Sequence, residues 1–218
     1  MSGTLPINDF VKITFTSVHN SSTSISVSGR RQTRQFPTQY WRFDCSYRSL
    51  QRTDAAQVMA FIAKQRNNLL DFDVVLPDFG NTQGTATAML AANPGTSATL
   101  TVSTQASAFA TSVSVSSAWV TAKWTTAGVS AATGLRAGDF ITFSNHTKIY
   151  QLTDNVSFDS AGAATLNIYP ALITTVPNTA TVNYNGVLFR VFLREPEQQY
   201  DFGLYDTSDI SLSLQESL

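Results

Sequence analysis

The sequence predicts a mainly β fold with one helix, in which a sheet domain formed by both ends of the chain carries a small inserted all-β barrel or sandwich. Three observations lead there. Apolar and polar residues alternate through much of the 218-residue chain, the period of half-buried strands. Helical spacing of apolar residues is convincing in one place only. Charge also changes abruptly: residues 1–70 hold nine Lys or Arg against three Asp, residues 83–184 hold six charges in all, and residues 185–218 hold two Arg against six acids. A basic start, a bland middle and an acidic end read as an insertion, with 1–82 and 185–218 folding together around 83–184.

Val11, Ile13 and Phe15 alternate with polar residues, as do Ile25 and Val27 beyond the turn-like His19-Asn20-Ser21-Ser22, which predicts a long hairpin over 10–34. Residues 40–50 form the next strand, with Trp41, Phe43, Cys45 and Tyr47 on one face and Arg42, Asp44 and Arg48 on the other. Thr53 reads as a helix N-cap, followed by Ala55, Val58, Met59, Ile62 and Ala63 at helical spacing until Asn67-Asn68. Phe72, Val74 and Leu76 make a short strand that stops at Pro77-Asp78-Phe79-Gly80. Within the insertion, strands are expected at 100–102, 112–115, 140–143, 148–152, 165–169 and 180–182, punctuated by glycines. The tail adds strands at 187–193, 199–204 and 210–214.

Composition narrows function. Fourteen basic and fifteen acidic residues leave a net charge of -1, which excludes a globally basic nucleic-acid binder and leaves little repulsion to keep copies apart. The single Cys45 allows no intrachain disulfide and no Cys-cluster metal site. No apolar run reaches a membrane span and the N-terminus lacks the charged and apolar regions of a leader, so a soluble chain without membrane insertion is expected.

Catalytic patterns are missing. His19 and His146 stand without ligand spacing, and no nucleophile elbow or glycine-rich phosphate loop occurs. The i, i+2 carboxylates Asp71 and Asp73, or Glu195 and Glu197, read as solvated strand faces or intersubunit ion pairs. No enzyme, cofactor or metal is expected. The cluster Gly29-Arg30-Arg31-Gln32-Thr33-Arg34 stands near Tyr40, Trp41 and Phe43, a combination that would suit a nucleic-acid platform. Yet these aromatics alternate onto the core face, so Arg30, Arg31, Arg34 and Arg42 are expected to make intersubunit contacts.

The serine- and threonine-rich hairpin, Gly-Arg-Arg-Gln, the aromatic strand from Tyr40, the helix and the strand ending in Pro-Asp-Phe-Gly together resemble the ring domain of bacteriophage tail proteins. This tail-tube-like order is shared by tube, distal-tail and baseplate-hub subunits. The stretch 135–152, with Leu135-Arg136-Ala137-Gly138-Asp139, and the stretch 161–172 are similar to the accessory β module of distal tail and baseplate proteins. A 100-residue insertion places the distal or baseplate position ahead of the shaft. The resemblance implies a structural virion protein, assembled in the host cytoplasm, whose ring of six subunits joins tube to hub or tip and surrounds the channel through which DNA passes. Its partners would be copies of itself and other tail proteins, including tube, hub, tip or fibre. Glu195, Glu197, Asp201 and Asp206 are the expected channel-facing or ring-contacting acids. The alternative is a host-surface carbohydrate-binding module presenting Trp119, Trp124 and Tyr150 for stacking on sugars.

Overall fold

The computed structural model describes residues 3–7, 9–66, 68–77, 79–84, 100–117, 134–159, 161–203 and 206–218, with the backbone alone for 35–37. It divides into two compact units, a sheet unit of Met1–Pro77 with Leu188–Leu218 and a barrel unit of Asp78–Val187.

The sheet unit starts with strands β1 (Lys12–Ile25) and β2 (Arg31–Gln51), joined by a turn in which Gly29 takes a φ of 77°. The turn expected at His19-Asn20-Ser21-Ser22 is not there: β1 runs through those residues, the chain reverses between Ser26 and Arg30, and the expected second arm and the following strand are one strand, β2, which continues through Pro37. Pro37 has no N–H to give, and the ladder accommodates it by slipping register between His19 and Ser21. Helix α1 (Arg52–Lys64) follows β2 directly. Its N-cap is Gln51, without a side-chain hydrogen bond, so Thr53 stands inside the first turn instead of capping it. The strand runs straight into the helix and leaves no turn residue for the cap. Ala55, Val58 and Ile62 form the buried stripe, and Phe61 meets Phe72 edge-on at 5.3 Å.

Strand β3 (Phe72–Val75) completes the N-terminal part of the sheet. After the barrel come β10 (Leu188–Leu193), β11 (Tyr200–Phe202) and β12 (Thr207–Glu216), and the sheet order is β1-β2-β12-β10-β3, with β11 off this path, paired with residues 208–210 of β12. Alternation decides which face is covered. Trp41, Phe43, Cys45 and Tyr47 from β2 are buried with Phe189, Val191 and Leu193 from β10 and Ile210, Leu212 and Leu214 from β12. Phe43 and Phe189 pack edge-on at 5.2 Å. Burial pushes the Cys45 thiol up to about 12, with the Asp44 carboxylate adding to the shift, so it behaves as a small core residue.

In the barrel unit, β4 (Leu100–Val102), β5 (Ser112–Ser116), β6 (Phe140–Phe143), β7 (Ile149–Leu152), β8 (Ala163–Tyr169) and β9 (Thr181–Asn183) close in the order β4-β5-β8-β7-β6-β9. The β4–β9 pairing joins the ends, which leaves this barrel no open edge. Val113, Val115, Ile141, Phe143, Leu152, Leu166 and Ile168 fill its interior.

Candidate functional site

Strand β2 is flanked on both sides only over part of its length. Strand β12 pairs with it from Gln51 back to Arg42, and at Trp41 the ladder stops. There the buried Glu216 carboxylate accepts the Trp41 N–H at 3.1 Å, in place of a further strand residue. Beyond this point β1 and β2 continue as a two-stranded ribbon. All described side chains from 19 to 34 are exposed except half-buried Ser26. Such a pair, with neither face packed, is marginal by itself in water.

Three of the four candidate arginines sit on this ribbon. Arg30 is in the turn, while Arg31 lies opposite Ile25 and Arg34 opposite Ser22. Directly opposed residues share a face, so Arg31 and Arg34 project from opposite sides. Arg42 differs from them. It lies within the sheet between Thr16 and Gln215, donates to the Tyr40 hydroxyl at 2.9 Å and has its guanidinium 5.3 Å from the Tyr40 ring centroid.

Among the described residues, no strand pairs with the outer edge of β1. It is fourteen residues long, contains no proline, and has Lys12 as its one lysine. A short strand, prolines and several lysines are the usual means by which a protein blocks an edge against further pairing, and this edge has none of them. The opposite edge is treated otherwise: Leu5 N–H donates to the Asp73 carbonyl and Asp73 N–H to the Gly3 carbonyl, so the N-terminal segment covers β3.

The acidic candidates are spread along the tail. Glu195 is tied to Arg194 at 2.7 Å, and Glu197 is exposed. Asp201 on β11 lies directly opposite Asp209 on β12. Asp206 adopts a left-handed φ of 57° in the intervening turn and lines a cleft of about 250 Å³ with Arg52, Phe202, Gly203, Thr207 and Ser208. Asp71 and Asp73 share one cation, Arg190, at 3.8 and 3.6 Å.

The barrel contributes two polar constellations that spacing did not reveal. Asp139 is buried and accepts from Thr82 Oγ1, from the Gln83 N–H at 3.1 Å and from the Arg136 N–H at 2.8 Å, pinning the segment that enters the barrel. Beside this anchor the chain passes so near itself that a Cβ at Gly84 would fall on the Gly134 carbonyl, and one at Gly134 on the Phe158 ring.

In the second constellation His146 Nδ1 lies 2.8 Å from Asn145 Oδ1, and Nε2 lies 2.8 Å from the Tyr150 hydroxyl. An amide oxygen only accepts, so Nδ1 carries the proton and Nε2 accepts from Tyr150. Tyr150 is fully buried among core residues and offers no ring face to a sugar. Trp119 and Trp124, the other two residues of the carbohydrate alternative, lie outside the described residues.

Burial and the Lys148 ammonium hold the His146 imidazole below its ordinary 6.5. The unfolded chain therefore takes up this proton first. The stability contribution is complete above 6.5 and is lost as pH falls through it toward the folded value. Thermal melts from about pH 7.5 to about pH 5 should show the protein losing stability, and His146→Gln should flatten that slope. An unchanged slope in the variant would place the acid sensitivity elsewhere.

Among the described residues, no three His, Cys, Asp or Glu cluster as metal ligands. No helix among them is long and apolar enough to cross a membrane.

Residues 103–187, which contain β5 to β9, match the family model described as "Distal tail protein pb9, B domain". Over those residues the barrel is similar to a distal-tail B domain. The chain is also 36% identical over 88 residues to Distal tail protein pb9 of Escherichia phage T5, an alignment covering 38% of this chain and 41% of that protein. The chain thus spans about two-fifths of the length of the curated relative it matches. The matched region holds His146, Tyr150 and Asp139, whereas the ribbon, the β1 edge and the acidic turn belong to the sheet unit, outside the region matched by the family model.

Proposed function

We propose that this chain is a structural, non-catalytic subunit of a phage tail tip or baseplate that closes into a ring with copies of itself. The observation that carries the reading is the long, unblocked β1 edge continuing into a ribbon with both faces exposed. A partner strand would satisfy the backbone groups along that edge, and a partner surface would cover the ribbon. The N-terminal segment protects the other edge, so β1 meets a different surface of its neighbour. Such heterologous contacts close by rotation into rings.

The distal-tail likeness of the B domain supports a place in the virion, between tube and hub or tip. A ring of six copies around a DNA channel is the arrangement its family resemblance implies, with assembly in the host cytoplasm. Near-neutral net charge agrees with DNA passing without being held.

Light scattering over a concentration series tests the reading. The expected mass is a discrete multiple of 23.7 kDa that grows with concentration to a limit. A mass of one chain at every concentration would overturn the ring.

A further inference from the structure

We propose that the arginine-bearing tip of the ribbon in one copy docks on the acidic β11–β12 turn of the next, an inference that rests on the ring reading and names its mating surfaces. Within one chain the two features cannot meet. Thr207 pairs with Gln51 at one end of β2, whereas the tip begins at Arg31, at the other end. Twenty residues of strand separate them by roughly 60 Å. The contact, if made, joins two molecules.

Complementarity argues that it is made. The tip presents cations on both faces, Arg31 beside Ile25 on one and Arg34 beside Ser22 on the other, with Arg30 in the turn. It also exposes two apolar side chains, Ile25 at 72% and Val27 at 110%. The turn presents the reverse charge. Residues 200–209 contain Asp201, Asp206 and Asp209 and no Lys or Arg.

Asp201 and Asp209 stand opposite one another, a like-charge pair that destabilises a ladder unless a cation joins it. Asp209 accepts the Ser49 N–H, and Asp201 accepts the Gln199 amide. Neither they nor Asp206 is ion-paired among the described residues. The cleft itself is lined by one cation, Arg52, and one acid, Asp206, with Asp201 and Asp209 on the adjoining strands. The turn also has its own exposed apolar group, Phe202 at 72%, at the rim of a cleft of about 250 Å³. One side chain such as Val27 fits that space. Among the described residues β11 pairs with β12 alone, which leaves its other edge without a partner strand.

Two charge-reversed full-length chains test the pairing. One carries Arg30→Glu, Arg31→Glu and Arg34→Glu, and the other Asp201→Lys and Asp206→Lys. All five positions are exposed, and circular dichroism with thermal melting verifies that each chain folds. Each chain by itself should require at least about tenfold more protein to assemble than the parent. An equimolar mixture should regain assembly, because the reversed tip of one then meets the reversed turn of the other and the two unaltered surfaces still match. Assembly of the parent should also weaken with added salt.

Should a reversed chain misfold, the neutral set Arg31→Gln, Arg34→Gln and Asp201→Asn gives the same comparison, with a smaller expected loss for each side. A parent that assembles while the tip-reversed chain assembles equally well would overturn this contact and leave the ring reading standing. Two weakened chains whose mixture stays weak would show that the surfaces do not meet each other, which also overturns it. A parent that never assembles would remove the ring reading and this contact together.

Discussion

Replacing Phe189 by alanine should lower the unfolding free energy of the sheet unit by about 3–5 kcal/mol, the usual cost of deleting a fully buried phenyl ring. Phe189 is completely buried on β10 and packs edge-on against Phe43 of β2, while Phe15 of β1 approaches both rings at 6.4 and 4.8 Å. The cluster joins β10 to the root of the ribbon, so a cavity here removes contacts from three strands at once. Denaturant titration measures the loss. Phe189→Leu, which keeps most of the volume, should cost less than about 1.5 kcal/mol. Equal losses in both variants would mean that shape, not buried area, sets the stability of this core.

The second large effect is expected in the barrel. Asp139→Ala should destabilise it by about 3 kcal/mol, because the carboxylate takes bonds from Thr82, Gln83 and Arg136 in a buried setting and its loss leaves those donors without an acceptor. Asp139→Asn should fall between, since one amide oxygen still accepts while the NH₂ faces a donor. Hydrogen exchange localises the effect: the amides of Gln83 and Arg136 should lose protection in both variants. If they exchange as slowly as in the parent, Asp139 is not what holds the entering segment.

Both effects arise from residues whose importance is non-local, and the same distinction runs through the fold. Alternation made most strands legible, including all six of the barrel, because a half-covered sheet imposes a period of two on its own sequence. The helix was legible from Ala55, Val58 and Ile62. Its start was not: Thr53 has the chemistry of a cap, but the chain entered from β2 with no turn, so Gln51 took the position. Likewise the hairpin over 10–34 and the strand over 40–50 read as separate elements, and pairing to β1 joined them, with a slip in register, in one strand of twenty-one residues.

For the candidate site, the cluster Arg30, Arg31 and Arg34 could be read from its charge. Its separation from Arg42 could not, because that depends on where β12 ends and Glu216 closes the ladder. Nothing in the spacing of Asp139 or His146 distinguished them from surface polar residues. Their partners Thr82 and Tyr150 reach them only once the barrel has formed.

By itself, then, the sequence determined the class of fold, the positions of most strands, and the asymmetry of charge. These follow from local periodicity and composition, which each segment carries alone. Tertiary structure alone decided the strand order, the closure of the barrel, the open β1 edge and the unpacked ribbon, and the placing of the arginines and the acidic turn at opposite ends of β2. Those depend on which distant segments pair, and pairing is selected by the joint burial of both faces, a property that no single segment possesses.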